Sequence, residues 1–280
     1  MQIIKDKKEL SYICRQIKQS KAKISFVPTM GMIHRAHLEL IKMAKAKGDF
    51  VIVSIFVNPK QFDNNSDFVK YPRAIDDDIS KINDCDADLI FIPETNQFYT
   101  QDFAFNIEIH KLADLLCGAT RNGHMNGVCI VLMKLFNLIR PDFVIMGEKD
   151  YQQLYITKKL AEDFDCDTTI IGCPTIRDEN GLAMSSRNKR LSKDSLNLIA
   201  PLLYKNLLLL RDDIIKSNYN FDDSLIKEYK DILISNGFEK IDYLEILNNN
   251  LTRFSANDTN GRIFIAAWLD NVRLIDNIKL

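Results

Sequence analysis

At 280 residues the chain is long enough for one large domain or two unequal ones, and 46% hydrophobic with 27% charged residues gives ample apolar material for a core. A formal net charge of −1 removes the broad electrostatic field on which non-specific nucleic-acid binding depends, so no nucleic-acid partner is expected and any anion is met by local groups. "MQIIKDKKEL" lacks the apolar stretch of a signal peptide, and no uninterrupted apolar run approaches the roughly 20 residues of a membrane span, so a cytoplasmic protein without a membrane partner is expected.

In chain order, "KISFVPTM" opens with a short apolar run ending at Pro28, which reads as a buried strand, and "AHLELIKMAKAKG" follows with helical spacing and a terminal Gly. "FVIVSIFV" (50–57) is β-branched and continuously apolar, as a central parallel strand requires. "ADLIFIP" (87–93) and "PDFVIMG" (141–147) repeat the type, with helix candidates "AIDDDISKIND" and "VCIVLMKLFNLI" between them. This alternation predicts an α/β fold, a Rossmann-like doubly wound parallel sheet over residues 1–175. Beyond 175 two helix candidates, "SLNLIAPLLYKNLLLLRDDIIKS" and "DDSLIKEYKDILISNG", precede "IDYLEIL", "RIFIAAWLD" and "VRLIDNIKL". These predict a smaller α+β domain, 176–280, carrying an antiparallel or mixed sheet. The six cysteines (14, 85, 117, 129, 166, 173) contain no CxxC pair, so reduced thiols are expected and a structural zinc site is not.

In an open α/β sheet, ligands bind outside the carboxyl ends of the strands. Four unusual segments fall at or near such ends: 28–37, 58–62, 147–153 and 184–188. In the first, "PTMGMIHRAH", His34 and His37 lie three apart at a predicted helix N-terminus and share a face. Either can donate to a phosphate oxygen without a fixed charge, and either can equally be a surface or capping histidine. A zinc pair on a helix is usually spaced by four, as in HExxH. "NPKQF" ends its strand with Asn58 and Gln61, amides suited to a hydroxyl or a carboxylate, although Asn-Pro is also a common turn. In "GEKDYQQL", Lys149 suits a phosphate and Asp150 a ribose hydroxyl or helix N–H groups; an N-cap with solvated charges explains the same pair. "LAMSSRNKRLS" sets Ser185, Ser186 and Arg187 in a loop whose short donors and bidentate guanidinium are suited to phosphates.

The ordered set "PTMGMIHRAH", "FVNPKQF", "YPRAIDDD", "CGATRNGHMNGV", "GEKDYQQL" and "MSSRN", covering about residues 24 to 190, closely resembles the pantoate:β-alanine ligases of the nucleotidyltransferase superfamily. "HRAH" looks like the HxGH signature, and "MSSRN" stands where the KMSKS motif of class I aminoacyl-tRNA synthetases would. The resemblance implies an ATP-dependent condensation of pantoate with β-alanine in two steps, through pantoyl adenylate, in a homodimer formed through the N-terminal domain. His34, His37, Lys149, Ser185, Ser186 and Arg187 match the positions that stabilise the reacting phosphates. Pro28, Thr29, Met30, Gly31, Met32, Ile33, Arg35 and Ala36 match the turn bordering ATP. Gly147, Glu148 and Asp150 match its ribose side, with Ile176 near adenine and Met184 opening the "MSSRN" loop. Gln61 and Gln153 match the residues that hold pantoate, with Asn58 nearby; Arg121 matches a substrate-side arginine, Tyr71 a residue that helps close the region, and Asp77 a magnesium-associated aspartate. A single carboxylate suffices for Mg²⁺ that bridges phosphates and keeps its waters. Three departures stand out: Ala36 replaces the usual glycine of HxGH, and Asn122 and Met125 replace the proline and phenylalanine of RPGHF. Alanine is tolerated at the first of these if its φ is helical. The rival readings are another HxGH nucleotidylyltransferase, which has no need of "FVNPKQF" or "GEKDYQQL", a fragment related to aminoacyl-tRNA synthetases, whose RNA-binding surface the near-zero net charge disfavours, and a non-enzymatic nucleotide-binding module, which leaves the Lys, Ser and Arg set idle.

Overall fold

Six short, mainly apolar segments alternate with helices through the first 174 residues and assemble into one sheet. The computed structural model describes all residues except 63–67, 70, 256, 257 and 259. In order the segments are β1 (Gln2–Ile4), α1 (Lys7–Gln19), β2 (Ile24–Thr29), α2 (Arg35–Lys45), β3 (Phe50–Ile55), α3 (Ile75–Asn83), β4 (Leu89–Phe91), α4 (Thr95–Phe98), α5 (Leu116–Thr120), α6 (His124–Ile139), β5 (Phe143–Gly147), α7 (Tyr151–Asp163) and β6 (Thr169–Cys173). The sheet order is β1-β4-β3-β2-β5-β6, and every pairing is parallel. The expected doubly wound sheet is therefore met, with β1 an additional edge strand too short for its sequence pattern to announce.

The central strand β2 explains its own composition. Ile24, Phe26 and Val27 are fully enclosed, because a parallel strand with helices on both faces has no solvated side. Val27, Val53, Ile90 and Ile145 from four neighbouring strands join Ile33 and Ile41 in one core cluster. From β2 the chain crosses to β3 on one side, and β5, on the other side of β2, leads onward to β6. The direction of winding reverses between β2 and β5, and that is where an open sheet leaves a crevice at its carboxyl edge.

The contacts divide the chain into two units, Met1–Glu148 with Gln153–Pro174, and Lys149–Gln152 with Thr175–Leu280. The second holds α8 (Leu202–Lys216), α9 (Asp223–Ser235) and an antiparallel sheet of β7 (Lys240–Asn248), β8 (Gly261–Leu269) and β9 (Val272–Lys279), ordered β7-β8-β9. Leu203, Leu207, Leu210 and Ile214 form one stripe of α8 and share a core with Ile263 and Ile265 of β8. Contrary to the sequence expectation, the run 195–217 is not one helix: Ser195–Ile199 forms a single π turn, and α8 starts after Pro201. Proline has no N–H to continue the helical ladder, so it sits at the new N-terminus.

Candidate active site

The turn after β2 is built on a buried carboxylate. Pro28 and Thr29 end the strand in register with Ser54 and Ile55, and Thr29 Oγ1 donates to Ser54 O at 2.7 Å. Gly31 (φ +83°) and Met32 (φ +55°) then take left-handed backbone to swing the chain toward α2. Asp78 of α3, only 1% exposed, accepts the N–H of Met32 at 2.8 Å and of Ile33 at 2.6 Å. A Cβ on Gly31 would stand 2.8 Å from Asp78 Oδ2, so glycine is required by approach as well as by φ. His34 is the N-cap of α2, Arg35 and Ala36 open the helix, and the His34 and His37 rings lie 4.1 Å apart between centroids. The N–H of His34 donates to His37 Nδ1 at 3.3 Å. This bond is half of a capping box, and in the neutral imidazole it leaves the proton on Nε2. Arg35 is exposed, and Ala36 lies inside the helix, where alanine is at ease.

Gln61 sits behind that turn in a dense set of hydrogen bonds. Its Nε2 lies 2.7 Å from Met30 Sδ, a thioether and therefore a weak acceptor. Its Oε1 accepts from Asn58 Nδ2 at 3.1 Å. Its backbone carbonyl accepts from His124 Nδ1 at 2.7 Å, and His124 Nε2 accepts from Arg121 Nη1 at 2.9 Å. A carbonyl only accepts and a guanidinium only donates, so both bonds fix the same neutral tautomer of His124, protonated at Nδ1. Asn58 has its whole amide committed within the protein: Nδ2 donates to Gln61 Oε1 and Gly127 O, and Oδ1 accepts from Lys60 N and Tyr99 Oη. Its geometry is that of a support for Gln61. Tyr71 is buried edge-on against Phe62, with ring centroids 5.7 Å apart.

Asp77 and Asp78 are neighbours with opposite surroundings. Asp78 lies one helical turn from buried Ile82, whereas Asp77 is exposed and pairs with Lys81 at 2.6 Å. Lys81 Nζ also donates to Ile33 O at 3.2 Å, which tethers Asp77 to the histidine turn. At the end of β5, an added Cβ on Gly147 meets nothing within 4 Å, so open space faces the chain there. Glu148 follows and lines Gly172 of β6. Gln153, half-buried in α7, keeps its backbone carbonyl for the Thr157 hydroxyl.

In the second unit Lys149 is mostly covered, pairs with Asp150 at 3.8 Å, and accepts from Asn277 Nδ2 at its backbone carbonyl. Ile176 and Met184 face each other across a short hairpin: Met184 N donates to Ile176 O at 3.0 Å. Arg177, between them in sequence, pairs bidentately with buried Asp276 at 2.6 and 2.9 Å and stacks 3.6 Å over Tyr204. Ser185 caps the turn Ser186–Arg190, its Oγ accepting from Arg187 N, which leaves Ser186 and the Arg187 side chain half-exposed. The hairpin and its ion pair thus hold the "MSSRN" loop by its stem.

The family profile described as pantoate-beta-alanine ligase matches residues 2–279. The chain belongs to the pantoate–β-alanine ligase family. It is accordingly a ligase that joins pantoate to β-alanine. Among its relatives, the ligase is 42% identical to the pantothenate synthetase of Buchnera aphidicola subsp. Acyrthosiphon pisum over 100% of this chain and 99% of that one. It is 39% identical to that of Thermosipho africanus over 99% of each. A crystal structure of the Thermus thermophilus enzyme superposes with a TM-score of 0.91 at 34% identity, covering 99% of both chains. That of the Francisella tularensis ligase, described as complexed with beta-gamma ATP and beta-alanine, gives 0.80 at 38% identity, with 99% and 97% covered.

Sequence reasoning missed Asp78, Tyr99 and His124 in the ligase. Asp78 was legible in principle, since it lies one turn before Ile82 on the covered face of an amphipathic helix, where a carboxylate needs buried donors. Tyr99 carried no such signal, its partner Asn58 lying 41 residues away; His124 stands three residues from Arg121 in "CGATRNGHMNGV", but its bond to the Gln61 carbonyl spans 63 residues.

Proposed function

We propose that the ligase condenses pantoate with β-alanine to pantothenate by way of pantoyl adenylate, with ATP as co-substrate. The observation that carries this reading is the turn of residues 28–37. A buried carboxylate and two left-handed residues deliver a histidine pair to a helix N-terminus, with His37 accepting the His34 N–H at Nδ1. That is a cradle for a phosphate on which negative charge grows.

A pantoate carboxylate oxygen attacks the α-phosphorus of ATP, and the bond from that phosphorus to the bridging oxygen breaks, releasing pyrophosphate. The β-alanine ammonium loses one proton to solvent, the free amine attacks the acyl carbon, the bond to the AMP oxygen breaks, and a second proton leaves the nitrogen to give the amide. Activation is necessary because a carboxylate would otherwise have to expel oxide. We assign His34, His37, Lys149, Ser185, Ser186 and Arg187 to the phosphates, and Met30 to Ala36 with Gly147, Glu148, Asp150, Ile176 and Met184 to the nucleotide. The open space at Gly147 favours the ribose assignment. Gln61 and Gln153 take pantoate. An amide N–H of Gln61 facing a thioether, a weak acceptor, makes a stronger hydrogen bond to a carboxylate or hydroxyl oxygen, which supports the pantoate assignment.

Asp77 fits a magnesium role, as a solvent-facing hard oxygen donor tethered through Lys81 to the turn. Mg²⁺ held there would neutralise phosphate charge and needs no protein cage. Among the described residues no three His, Cys, Asp or Glu side chains cluster as a metal site, and this role asks for none. We further infer a homodimer through the first unit; the stretch 104–110 favours it, with Phe105 82% exposed. Among the described residues no helix is long and apolar enough to cross a membrane, and we place the enzyme in the cytoplasm.

The test is AMP release measured with ATP, pantoate and β-alanine together and with each omitted. The reading requires AMP only when all three are present, and AMP in quantity without pantoate would overturn it. In the same assay Gln61→Ala raises the KM for pantoate and leaves that for ATP nearly unchanged.

A further inference from the structure

The hydrogen bonds behind Gln61 have a fixed polarity. Asn58 is 1% exposed and bonds two backbone groups whose roles are unambiguous: the Lys60 N–H only donates, and the Gly127 carbonyl only accepts. They identify Oδ1 and Nδ2 without appeal to the rest of the network. Tyr99 Oη, 2.9 Å from Oδ1, therefore donates. The second Nδ2 proton points at the Gln61 amide, 3.1 Å away, and its partner there is Oε1. Gln61 is left with Nε2 facing Met30. Turning the Gln61 amide over would set two NH₂ groups against each other inside the protein. Burial raises the pKa of the Tyr99 phenol, which keeps it protonated as the donor the chain of bonds needs. Its ring is fixed by Phe98 and Phe103 at 5.0 and 5.2 Å, with the Lys60 and Lys134 ammonium groups over its face at 5.3 and 5.6 Å.

We propose that Tyr99 is a positioning residue for the pantoate subsite: its hydroxyl, acting through Asn58, holds Gln61 with its N–H donors toward the substrate oxygen. The inference rests on the assignment of Gln61 to pantoate made above. It makes the subsite selective for groups that accept there, a carboxylate or hydroxyl oxygen, over groups that donate.

Tyr99→Phe removes the O–H and keeps the ring with its lysine contacts. The KM for pantoate should rise about five- to thirty-fold, the effect of losing one buried hydrogen bond and the order it imposes. The KM for ATP should stay within about twofold, because the nucleotide contacts lie elsewhere, and this also reports that the variant is folded. In a Gln61→Ala background, Tyr99→Phe should cause no further change in pantoate KM, since the hydroxyl acts only through that amide. Unchanged pantoate KM in Tyr99→Phe while Gln61→Ala is impaired overturns the positioning role, and so does an equal further loss in the double variant. Unaltered pantoate KM in Gln61→Ala overturns instead the assignment beneath it.

Discussion

His37 accepts the His34 N–H at Nδ1, the capping-box bond of α2, so that in the neutral imidazole its proton lies on Nε2, the atom that the proposed phosphate role uses. His37→Ala is expected to lower turnover by about two to four orders of magnitude, the range for a lost transition-state donor. Steady-state kinetics checks it, and added zinc should not restore the activity. Asp78 acts one step behind. With its carboxylate removed, the N–H groups of Met32 and Ile33 lose their partner in a buried place. Asp78→Ala should cost about 2–5 kcal/mol of stability, measured as a lower urea midpoint, and should raise the KM for ATP because the histidine turn loses its anchor. Asp77→Ala, which breaks only an exposed ion pair, should change stability by less than about 1 kcal/mol.

At the scale of elements, α6 and the turn Pro59–Gln61 approach so closely that no side chain fits between them. A Cβ on Gly127 would lie 2.0 Å from Lys60 O and 2.6 Å from Gln61 N. Gly127→Ala must therefore displace the turn, which carries Gln61 with it. The expected result is a loss of about 1–3 kcal/mol in thermal unfolding together with a raised pantoate KM at little-changed ATP KM. The strands were readable from sequence because a buried parallel strand is apolar along its whole length, as "FVIVSIFV" is. The long run 195–217 misled for a related reason: its apolar spacing continues across Pro201, while the chain passes there from the π turn Ser195–Ile199 into α8. The place of the motif residues at the carboxyl ends of β2 and β5 was likewise legible, because each motif directly follows a short apolar run. The bonds of Asn58 to Tyr99 and Gly127 and of His124 to the Gln61 carbonyl were not, since those partners lie 41 to 69 residues away.

For the whole molecule, the central claim is that pantoate is activated on the enzyme before β-alanine reacts. With ATP, Mg²⁺ and pantoate but no β-alanine, the enzyme should release pyrophosphate in a burst near one equivalent per active site and then stall, with the adenylate retained away from water. Labelled pyrophosphate should exchange into ATP when pantoate is present and not when it is absent. Adding β-alanine to the stalled complex should discharge AMP and pantothenate together. The pyrophosphate exchange is the most direct measurement: pantoate-dependent exchange without β-alanine is the predicted result, and exchange that requires β-alanine would contradict the two-step account.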